Sequence, residues 1–452
     1  MDSLVFATAG ELAEAIRERE VSAVEVLDAY LAHIARHNPA LNAIVTLDAE
    51  GARRRAQAAD EALANGEIWG PLHGVPITLK DVHDTAGLPS TMGGQAYADR
   101  VPAEDGLVAA RLKAAGSILM GKTNAQIFPD NPFGQTHNPW DVERTPGTSS
   151  SGAAAALAVG MTALDIGSDV LGSILVPAHY SGVYGMRPTE RRIPMGSFPS
   201  DPVPLWRVMG VYGPMARSVE DLRLALELLA RPDAHDSEVP PLPWKEAPRL
   251  KLRDLRIAWT STFPGVLIDP DIRAAMESLA SELEHQGAHV ERCFPDIDLN
   301  EQTPFAGSLF RLIVGAFGTP PSSLGDYLTA LQQREATIAR WEQFFEARDV
   351  LLCPVHNITA PHYSDKVVMV DGEELVLETA ASPADLSPAT GLPALIMPLA
   401  KDRNGLPIGV QFIGRRWDDE RLLAIAELIS EVTGGFQRPP EGHRHVGGQD
   451  SR

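Results

Sequence analysis

The first strongly periodic stretch of the chain follows Ser22, where apolar residues recur at helical spacing. The positions that would form one buried face are Val24, Leu27, Leu31 and Ile34. Ser22 with Glu25 three residues later has the spacing of a capping box, which is typical of a helix start. We expect this helix to end at Pro39, because proline lacks a backbone N–H and restricts the residue before it.

Short apolar runs then alternate with helical patterns. Residues 72–80 and 116–121 have the composition of short strands, on either side of an amphipathic helix around 106–114. A helix is predicted over 153–160, opening at a serine-glycine turn, and a strand over 162–167 after it. Alternation of this kind indicates an α/β sheet with buried strands.

The second half of the chain begins with a proline-rich stretch, Arg231 to Pro248, which is the best linker candidate. Beyond it the pattern predicts a strand over 255–262, a helix that starts at Pro270 and a last helix over 418–433. Residues 301–348 look helical and are rich in aromatic side chains, which usually form a core or a helix–helix seam and alternatively line a pocket. These aromatic residues are Phe305, Phe310, Phe317, Tyr327, Trp341, Phe344 and Phe345.

Composition narrows the class of protein. Of the 452 residues, 44% are hydrophobic and 22% are charged, which is typical of a globular protein. The net charge of −21 argues against a nucleic-acid partner, because such a surface repels phosphates. Two cysteines cannot form a disulfide framework, which indicates a reducing, cytoplasmic compartment, and Cys353 in VLLCPV is expected in the core. No signal peptide is visible, and no apolar run reaches the roughly 18 residues of a membrane-spanning helix.

Two serines twenty-four residues apart lie in glycine-rich turns, with a lysine upstream of both. They are Ser149 in RTPGTSSSGAAAA, Ser173 in DIGSDVLGSILVPA and Lys80 in GVPITLKD. A serine nucleophile needs a base, and a buried lysine can serve because burial disfavours its charged form. Glycines let backbone N–H groups approach a ligand closely, as an oxyanion hole requires, so the pattern indicates acyl transfer. Taken singly, Ser150 or Ser151 could instead cap the following helix, and Lys80 could be a surface charge.

The stretch from Asn138 to Thr189 resembles the signature block of the amidase signature family. Upstream, PLHGVPITLKD (71–81) and AAGSILMGKTN (114–124) are similar to the family's lysine segment and the strand-loop that follows it. Downstream, GPMARSVEDL (213–222) and TGLPALIMPL with NGLPIGVQFIG (390–414) are similar to its later segments. The matches keep the family's order from about residue 10 to 435, which makes the resemblance specific.

The resemblance implies a Ser-cisSer-Lys triad. Ser173 would be the nucleophile, Ser149 the bridging serine and Lys80 the base, with a cis peptide between Thr148 and Ser149. The N–H groups that match the family's oxyanion hole are those of Val170, Leu171, Gly172 and Ser173. The residues in supporting positions are Ser150, Thr148 and Asp169.

Several positions depart from the family's pattern. Side chains replace its usual glycines at Thr148, Ser151 and Leu171. With Leu171 inside the oxyanion turn, the loop must adopt ordinary L-residue angles or form the hole differently. Leu175 stands where the family favours arginine, so Asp169 needs another partner, and Arg187 is a candidate by proximity in sequence. Gln126 and Ile127 replace the usual acidic residue after GKTN.

Histidines offer a rival interpretation. His83 and His179 follow Lys80 and Ser173, so a Ser-His-Asp arrangement with Asp81 or Asp169 can be imagined. The G-x-S-x-G pentapeptide of serine hydrolases is absent around either serine, which disfavours it. The sequence also lacks H-E-x-x-H or paired Cys/His spacing, so neither a metal nor another cofactor is expected.

We therefore predict one large α/β domain over residues 1–438, with a mixed twisted sheet covered by helices on both faces, and a mobile tail over 439–452. Within it we expect N-terminal helices over 8–60, the signature core over 70–225 and a variable helical substrate-side region over 300–348.

The predicted function is hydrolysis of an acyl C–N bond through an acyl-enzyme. The substrate would be a small amide, anilide or carbamate (urethane), and the apolar residues Leu171 and Leu175 favour an uncharged or bulky one. We expect a cytoplasmic monomer or homodimer without nucleic-acid or membrane partners. Two alternatives stay open: a glutaminase subunit of an amidotransferase complex, and a family member that has lost catalysis and serves as a binding or scaffold protein.

Overall fold

Helices and strands alternate along the chain, as the apolar pattern predicts. The computed structural model describes residues 2–195, 207–232, 236, 238–246, 249–317 and 320–440. In chain order, the helices α1 to α13 are Asp2–Phe6, Ala9–Arg17, Ala23–Leu41, Ala49–Ala64, Leu107–Ala114, Ser151–Ala158, Leu175–Ser181, Val219–Leu229, Pro270–His285, Leu299–Val314, Leu324–Phe345, Leu386–Thr390 and Asp419–Thr433. The strands β1 to β13 are Ile44–Leu47, Pro76–Lys80, Ile118–Thr123, Asp165–Asp169, Tyr184–Arg187, Val211–Ala216, Arg256–Trp259, His289–Arg292, Val350–Pro354, Val367–Val370, Glu373–Val376, Ala394–Lys401 and Pro407–Ile413.

Eight of the described strands form one mixed sheet in the order β4-β6-β5-β12-β13-β9-β7-β8. Neighbours run antiparallel from β4 to β9, whereas β9, β7 and β8 run parallel. Because β5 lies beside β12, strands from the two halves of the chain meet there and form one continuous sheet. The stretch from Arg231 to Pro248, which the structure describes only in part, therefore joins strands of one sheet.

Alternate residues of the central strands enter two different apolar clusters. Leu395 and Met397 of β12 belong to the cluster that contains residues of α8 and α13. Ala394 and Ile396 belong to the cluster that contains residues of α6 and α7. Since successive side chains of a strand point to opposite faces, the sheet is covered by helices on both sides, as predicted.

A smaller sheet holds the lysine segment. It has the order β1-β3-β2, with β2 parallel and β1 antiparallel to β3. The Thr78 N–H of β2 donates to the Leu164 carbonyl (3.3 Å), so this sheet lies against β4 at the edge of the large one. The sequence pattern does not predict β1, where only Ile44 is fully buried.

The long N-terminal helix α3 continues past Pro39, which corrects its expected end. The helix keeps the predicted capping box but extends two residues beyond the proline, and Asn42 then adopts a left-handed conformation (φ 49°). The Asn38 side chain accepts hydrogen bonds from the N–H groups of Ala43 (2.9 Å) and Ile44 (2.8 Å). These bonds close the end of the helix just past the proline.

Candidate functional site

Lys80 is the last residue of β2, a strand whose five residues are all buried. Its Nζ donates to the hydroxyl of Ser149, to that of Ser150 (2.9 Å) and to that of Ser168 (2.9 Å). The Ser168 carbonyl oxygen also lies 3.3 Å from Nζ, so four oxygens surround an amine that has at most three N–H groups. Lys80 is thus buried and surrounded by hydroxyl groups, so the alternative that it is a surface charge was wrong.

The environment of Lys80 favours its neutral form. Burial lowers the pKa of Lys80 from 10.5 to about 7, although the carboxylates of Asp169 and Asp165 act in the opposite direction. Its direct partners are hydroxyl and carbonyl oxygens. Near pH 7 a large fraction of the amine is therefore unprotonated and able to accept a proton.

Ser149 has a backbone conformation that is unusual for a residue with a side chain, with φ at 64°. An antiparallel bridge holds it there: the Gln126 N–H donates to the Ser149 carbonyl (3.1 Å), and the Ser149 N–H donates to the Gln126 carbonyl (3.3 Å). Such conformations persist where surrounding contacts enforce them. Gln126 contributes through its backbone, so the absence of the family's acidic side chain leaves this bridge intact.

Ser150 occupies the N-cap position of α6, but its side chain does not cap the helix. Its hydroxyl accepts from Lys80 and donates to the Ser168 carbonyl (3.2 Å). Thr148 is exposed and contributes its carbonyl, which accepts from the Ser150 N–H (2.9 Å). The capping interpretation of Ser150 was therefore wrong, and its contact with Lys80 agrees with the supporting position that the resemblance implies.

Ser173 lies in the turn between β4 and α7 and is partly exposed. Its carbonyl accepts from the Ser150 N–H (3.3 Å), which places this turn against the serine cluster. Within the described part of the chain its hydroxyl has no hydrogen-bond partner. The structure therefore places the turn of Ser173 against the serine cluster and leaves its hydroxyl accessible, whereas a nucleophile also needs its base within hydrogen-bond reach.

The carboxylate of Asp169 organises the turn that carries Ser173. It accepts from the N–H groups of Gly172 (2.9 Å) and Ile174 (2.6 Å). It also forms an ion pair with Arg187 (3.0 Å), and both side chains are fully buried. Arg187 in turn donates to the Met209 carbonyl (2.5 Å). The partner expected for Asp169 from proximity in sequence is confirmed.

Leu171 is accommodated because Gly172 takes the unusual conformation in this turn. Among the described residues the positive φ falls on Gly172 (83°) and not on Leu171. The Gly172 N–H, expected in the oxyanion hole, donates to Asp169. Those of Val170, Leu171 and Ser173 have no partner in the described residues, so three of the four expected donors stay available.

The two histidines of the rival interpretation contact backbone groups. His83 Nε2 contacts the Ile166 carbonyl (2.8 Å). His179 accepts from the Gly409 N–H (2.8 Å) at Nδ1, so its Nε2–H donates to the Ile358 carbonyl (3.1 Å). Burial lowers the pKa of His83 to about 3 and that of His179 to about 4. Both rings are occupied by backbone groups, and the Ser-His-Asp alternative was wrong.

The aromatic residues of the 301–348 segment divide into two groups. Trp341, Phe344 and Phe345 pack in or against the core beneath the large sheet. Those that belong to a separate cluster beside the turn that carries Ser173 are Phe305, Phe310 and Tyr327. This second cluster also includes Val170 and Leu171, whereas Leu175 is fully buried in the core and cannot shape a pocket. The Phe317 side chain lies outside what the structure describes.

Two polar residues of β4 join the site although the sequence did not single them out. Ser168 contacts Lys80, and Asp165 accepts from the Thr78 hydroxyl (2.6 Å) and the Thr123 hydroxyl (3.0 Å). A signal was present, because DIGSD places three polar side chains in a strand that is buried throughout. Buried polar residues of this kind need partners, so they mark a functional or connecting role.

Within the described ranges, no three His, Cys, Asp or Glu side chains converge as a metal site. No helix among the described residues is long and apolar enough to cross a membrane. Cys353 is buried in β9, and burial raises the pKa of its thiol to about 12, which confirms the expected core position.

Comparisons with known proteins agree with this site. The family model described as Amidase matches residues 25–311 and 311–423. A glutamyl-tRNA(Gln) amidotransferase subunit from Roseiflexus sp. (strain RS-1) is 32% identical over 490 residues, covering 96% of this chain and 98% of the relative. An indoleacetamide hydrolase from Bradyrhizobium diazoefficiens is 33% identical over 456 residues, covering 94% of this chain and 86% of the relative.

Among solved structures, an amidase superposes on this chain with a TM-score of 0.82. The two are 26% identical, and the match covers 95% of this chain and all of that one. Fold and sequence thus define a hydrolase that acts on acyl carbon–nitrogen bonds. The chain belongs to the amidase family.

Proposed function

We propose that this protein is a serine amidohydrolase in which Ser173 is the nucleophile, Ser149 relays a proton and Lys80 is the base. The observation that carries the proposal is the position of Lys80: it is fully buried, bonded to the Ser149 hydroxyl, and has a pKa lowered to about 7. A lysine in this state can accept a proton at neutral pH, which an exposed lysine cannot.

The proposed reaction has two halves. Neutral Lys80 accepts the Ser149 proton, Ser149 accepts the Ser173 proton, and Ser173 Oγ attacks the acyl carbon. The proton returns along the relay to the nitrogen, the C–N bond breaks, and the amine leaves an acyl group on Ser173. Water, deprotonated through the same relay, then attacks the ester, so that the acid is released and Ser173 is restored.

The turn before α7 would stabilise the oxyanion. The N–H groups of Val170, Leu171 and Ser173 are the proposed donors, while the Gly172 N–H binds Asp169 and keeps the turn in shape. A carboxylate that orients a turn in this way preorganises the donors before charge develops. The Asp169–Arg187 ion pair supports that arrangement.

The surroundings of the turn favour an uncharged substrate with an apolar group. A cavity of about 580 Å³ has a mixed lining, in which Val208, Leu312, Ile313 and Tyr327 belong to the same apolar cluster as Leu171, and Arg191, Arg207 and Glu238 are charged. The arginines in its lining, Arg191 and Arg207, pair with Glu238 (3.3 and 3.7 Å). We therefore propose a small apolar amide, anilide or carbamate. A carbamate presents the same carbonyl and nitrogen, and its hydrolysis would release carbon dioxide.

A second candidate is a glutaminase subunit, which the identity to the glutamyl-tRNA(Gln) amidotransferase relative favours. That role needs partner proteins and groups that bind the charged ends of glutamine. The apolar cluster beside Leu171 argues for the first candidate. Glutaminase activity that appears only with a partner protein would reverse this order.

The test is release of amine from an aryl anilide, an aryl carbamate, a primary amide and glutamine. Wild type and Ser173→Ala are compared, with Ser181→Ala, a buried serine of α7, as the matched control. We expect wild type and the control to act on an apolar member and Ser173→Ala to be inactive. Because Lys80 must be neutral, kcat/KM should fall as the pH drops below about 7. Equal activity of Ser173→Ala, or activity that rises toward acid pH, would contradict the mechanism.

A further inference from the structure

Asp165, the first residue of β4, is fully buried next to the proposed base. Its Oδ2 accepts from the Thr78 hydroxyl (2.6 Å) and from the Thr123 hydroxyl (3.0 Å). Its Oδ1 is buried and has no hydrogen-bond partner in the part of the chain that the structure describes. One oxygen is thus held by two strands, while the other is left without a donor.

Charged neighbours reach Asp165 from both strands of the small sheet. Thr78 and Lys80 lie on the same face of β2, because alternate residues of a strand share a face. Lys122 precedes Thr123 on β3 and lies beside Asp81 (3.8 Å). Asp81 is the nearer carboxylate to Lys122, although Asp165 also acts on that lysine, whereas Lys80 has no ion-pair partner among the described residues.

The charged and titratable side chains that lie near Asp165 on the side of the large sheet contact other groups. Asp169, at the other end of β4, is paired with Arg187. Arg217, after β6, donates to the Thr162 carbonyl (2.6 Å), and His83 contacts the Ile166 carbonyl. The pKa of Tyr212 on β6 is raised by burial, so this phenol stays neutral. None of these described groups neutralises Asp165.

We propose that Asp165 is a positioning residue that acts through Lys80: the two buried groups exchange protons with solvent as a coupled pair, and the charge of Asp165, together with that of Asp169, sets the pH range in which Lys80 becomes the neutral base. The proposal rests on the function proposed for Lys80. It adds Asp165 to that site. It also explains why Oδ1 of Asp165 has no hydrogen-bond donor in the described part of the chain, because this oxygen would carry the proton when the carboxyl is neutral.

Coupling follows from the position of both side chains between β2 and β4, where Asp165 accepts from Thr78 and Lys80 donates to Ser168. Burial raises the pKa of Asp165 to about 7 and lowers that of Lys80 to about 7. An ionised Asp165 favours the charged amine, so it delays the loss of the Lys80 proton as the pH rises. Two protons then leave over one overlapping range, and the apparent pKa values belong to the pair.

The substitution Asp165→Asn removes the charge of this side chain but keeps its shape. The carboxamide oxygen can still accept from Thr78 and Thr123, but the titrating charge is gone. We expect the midpoint of Lys80 to fall by about one pH unit, the effect of one nearby buried charge. At pH 6 the variant would then retain about fivefold more of its plateau kcat/KM than wild type, and its acid limb would become a simple one-proton curve, steeper than that of the coupled wild type.

The decisive measurement titrates Lys80 directly, by NMR of the full chain labelled with ¹³C at lysine Cε, with the signal assigned by its loss in Lys80→Met. Asp221→Asn is the matched control, because Asp221 is another buried aspartate whose pKa burial raises, but it binds the N–H groups of Ala9 and Gly10. A lower Lys80 midpoint in Asp165→Asn and an unchanged one in the control are expected. An unchanged midpoint in Asp165→Asn would overturn the proposal.

Because coupling acts equally on both groups, titration of the Asp165 carboxyl provides a second measurement if Asp165→Asn does not fold. Loss of the Lys80 charge must raise the midpoint of the Asp165 carboxyl by the same amount, which ¹³Cγ NMR of wild type and Lys80→Met can detect. An equal Asp165 midpoint in the two proteins would refute coupling. These titrations need no substrate, so a failure of the hydrolase proposal, seen as hydrolysis by Ser173→Ala, is distinguished from a failure of this one.

Discussion

Replacing Lys80 by methionine should change how stability depends on pH, whatever it does to activity. The pKa of Lys80 falls from 10.5 to about 7 on folding because of burial. Between these values the unfolded chain binds one more proton than the folded protein, so wild-type stability rises with pH. The free-energy penalty for burying the amine of Lys80 is fully present below about pH 7. It vanishes above the pKa of 10.5 that the lysine has in the unfolded chain. Lys80→Met does not carry this penalty.

The magnitude follows from proton linkage. One pKa unit corresponds to about 1.4 kcal/mol, so the shift of Lys80 amounts to about 5 kcal/mol at its limit. Between pH 7 and pH 9, the free energy of unfolding of wild type should gain about 2 kcal/mol relative to Lys80→Met. The difference between two proteins cancels the other groups that titrate in both.

The assay is urea unfolding of both proteins at pH 7, 8 and 9. Lys366→Met serves as the control, since Lys366 is exposed. Its stability curve should run parallel to that of wild type. If the difference between wild type and Lys80→Met stays constant across this range, Lys80 does not release its proton on folding and the proposed base is refuted.

Three further predictions concern the same region. Gly167→Ala should lower kcat, because a Cβ there would lie 2.9 Å from Ser150 Oγ and displace it from the lysine; steady-state kinetics with equal kcat would contradict this. Asp169→Asn should destabilise the fold by about 3–5 kcal/mol, since it leaves Arg187 buried without a counter-charge; a thermal unfolding midpoint equal to that of wild type would exclude that role. His179→Asn should leave the pH profile of kcat/KM unchanged, whereas a loss of the acid limb would restore the histidine mechanism.

Local signals in the sequence suffice for much of the fold. The Ser22 capping box and the apolar runs of β2 and β3 require only nearby residues, and their elements are confirmed. β1 is different, because Ile44 to Leu47 becomes a strand by pairing with β3, far along the chain. The end of α3 also depends on side-chain bonds from Asn38, which no proline rule includes.

For the site, the resemblance supplied the triad residues but not their surroundings. The partner of Asp169 was predictable, because Arg187 follows closely on the next strand. Ser168 and Asp165 could not be assigned, since their roles depend on β2 lying beside β4. That packing is a property of the folded chain, and it also decides which amide of the catalytic turn is already bound.

The position of the site across two sheets has a consequence for synthesis of the protein. Lys80 ends a strand of the small sheet, whereas Ser173 follows the edge strand of the large one. A ribosome exposes both residues early, yet β5 must wait for β12, which begins at Ala394. Long-range strand pairing of this kind is slow to form. A nascent chain that ends before Ala394 would therefore carry all three residues of the proposed triad but lack the strand that β5 pairs with, and we expect it to be inactive.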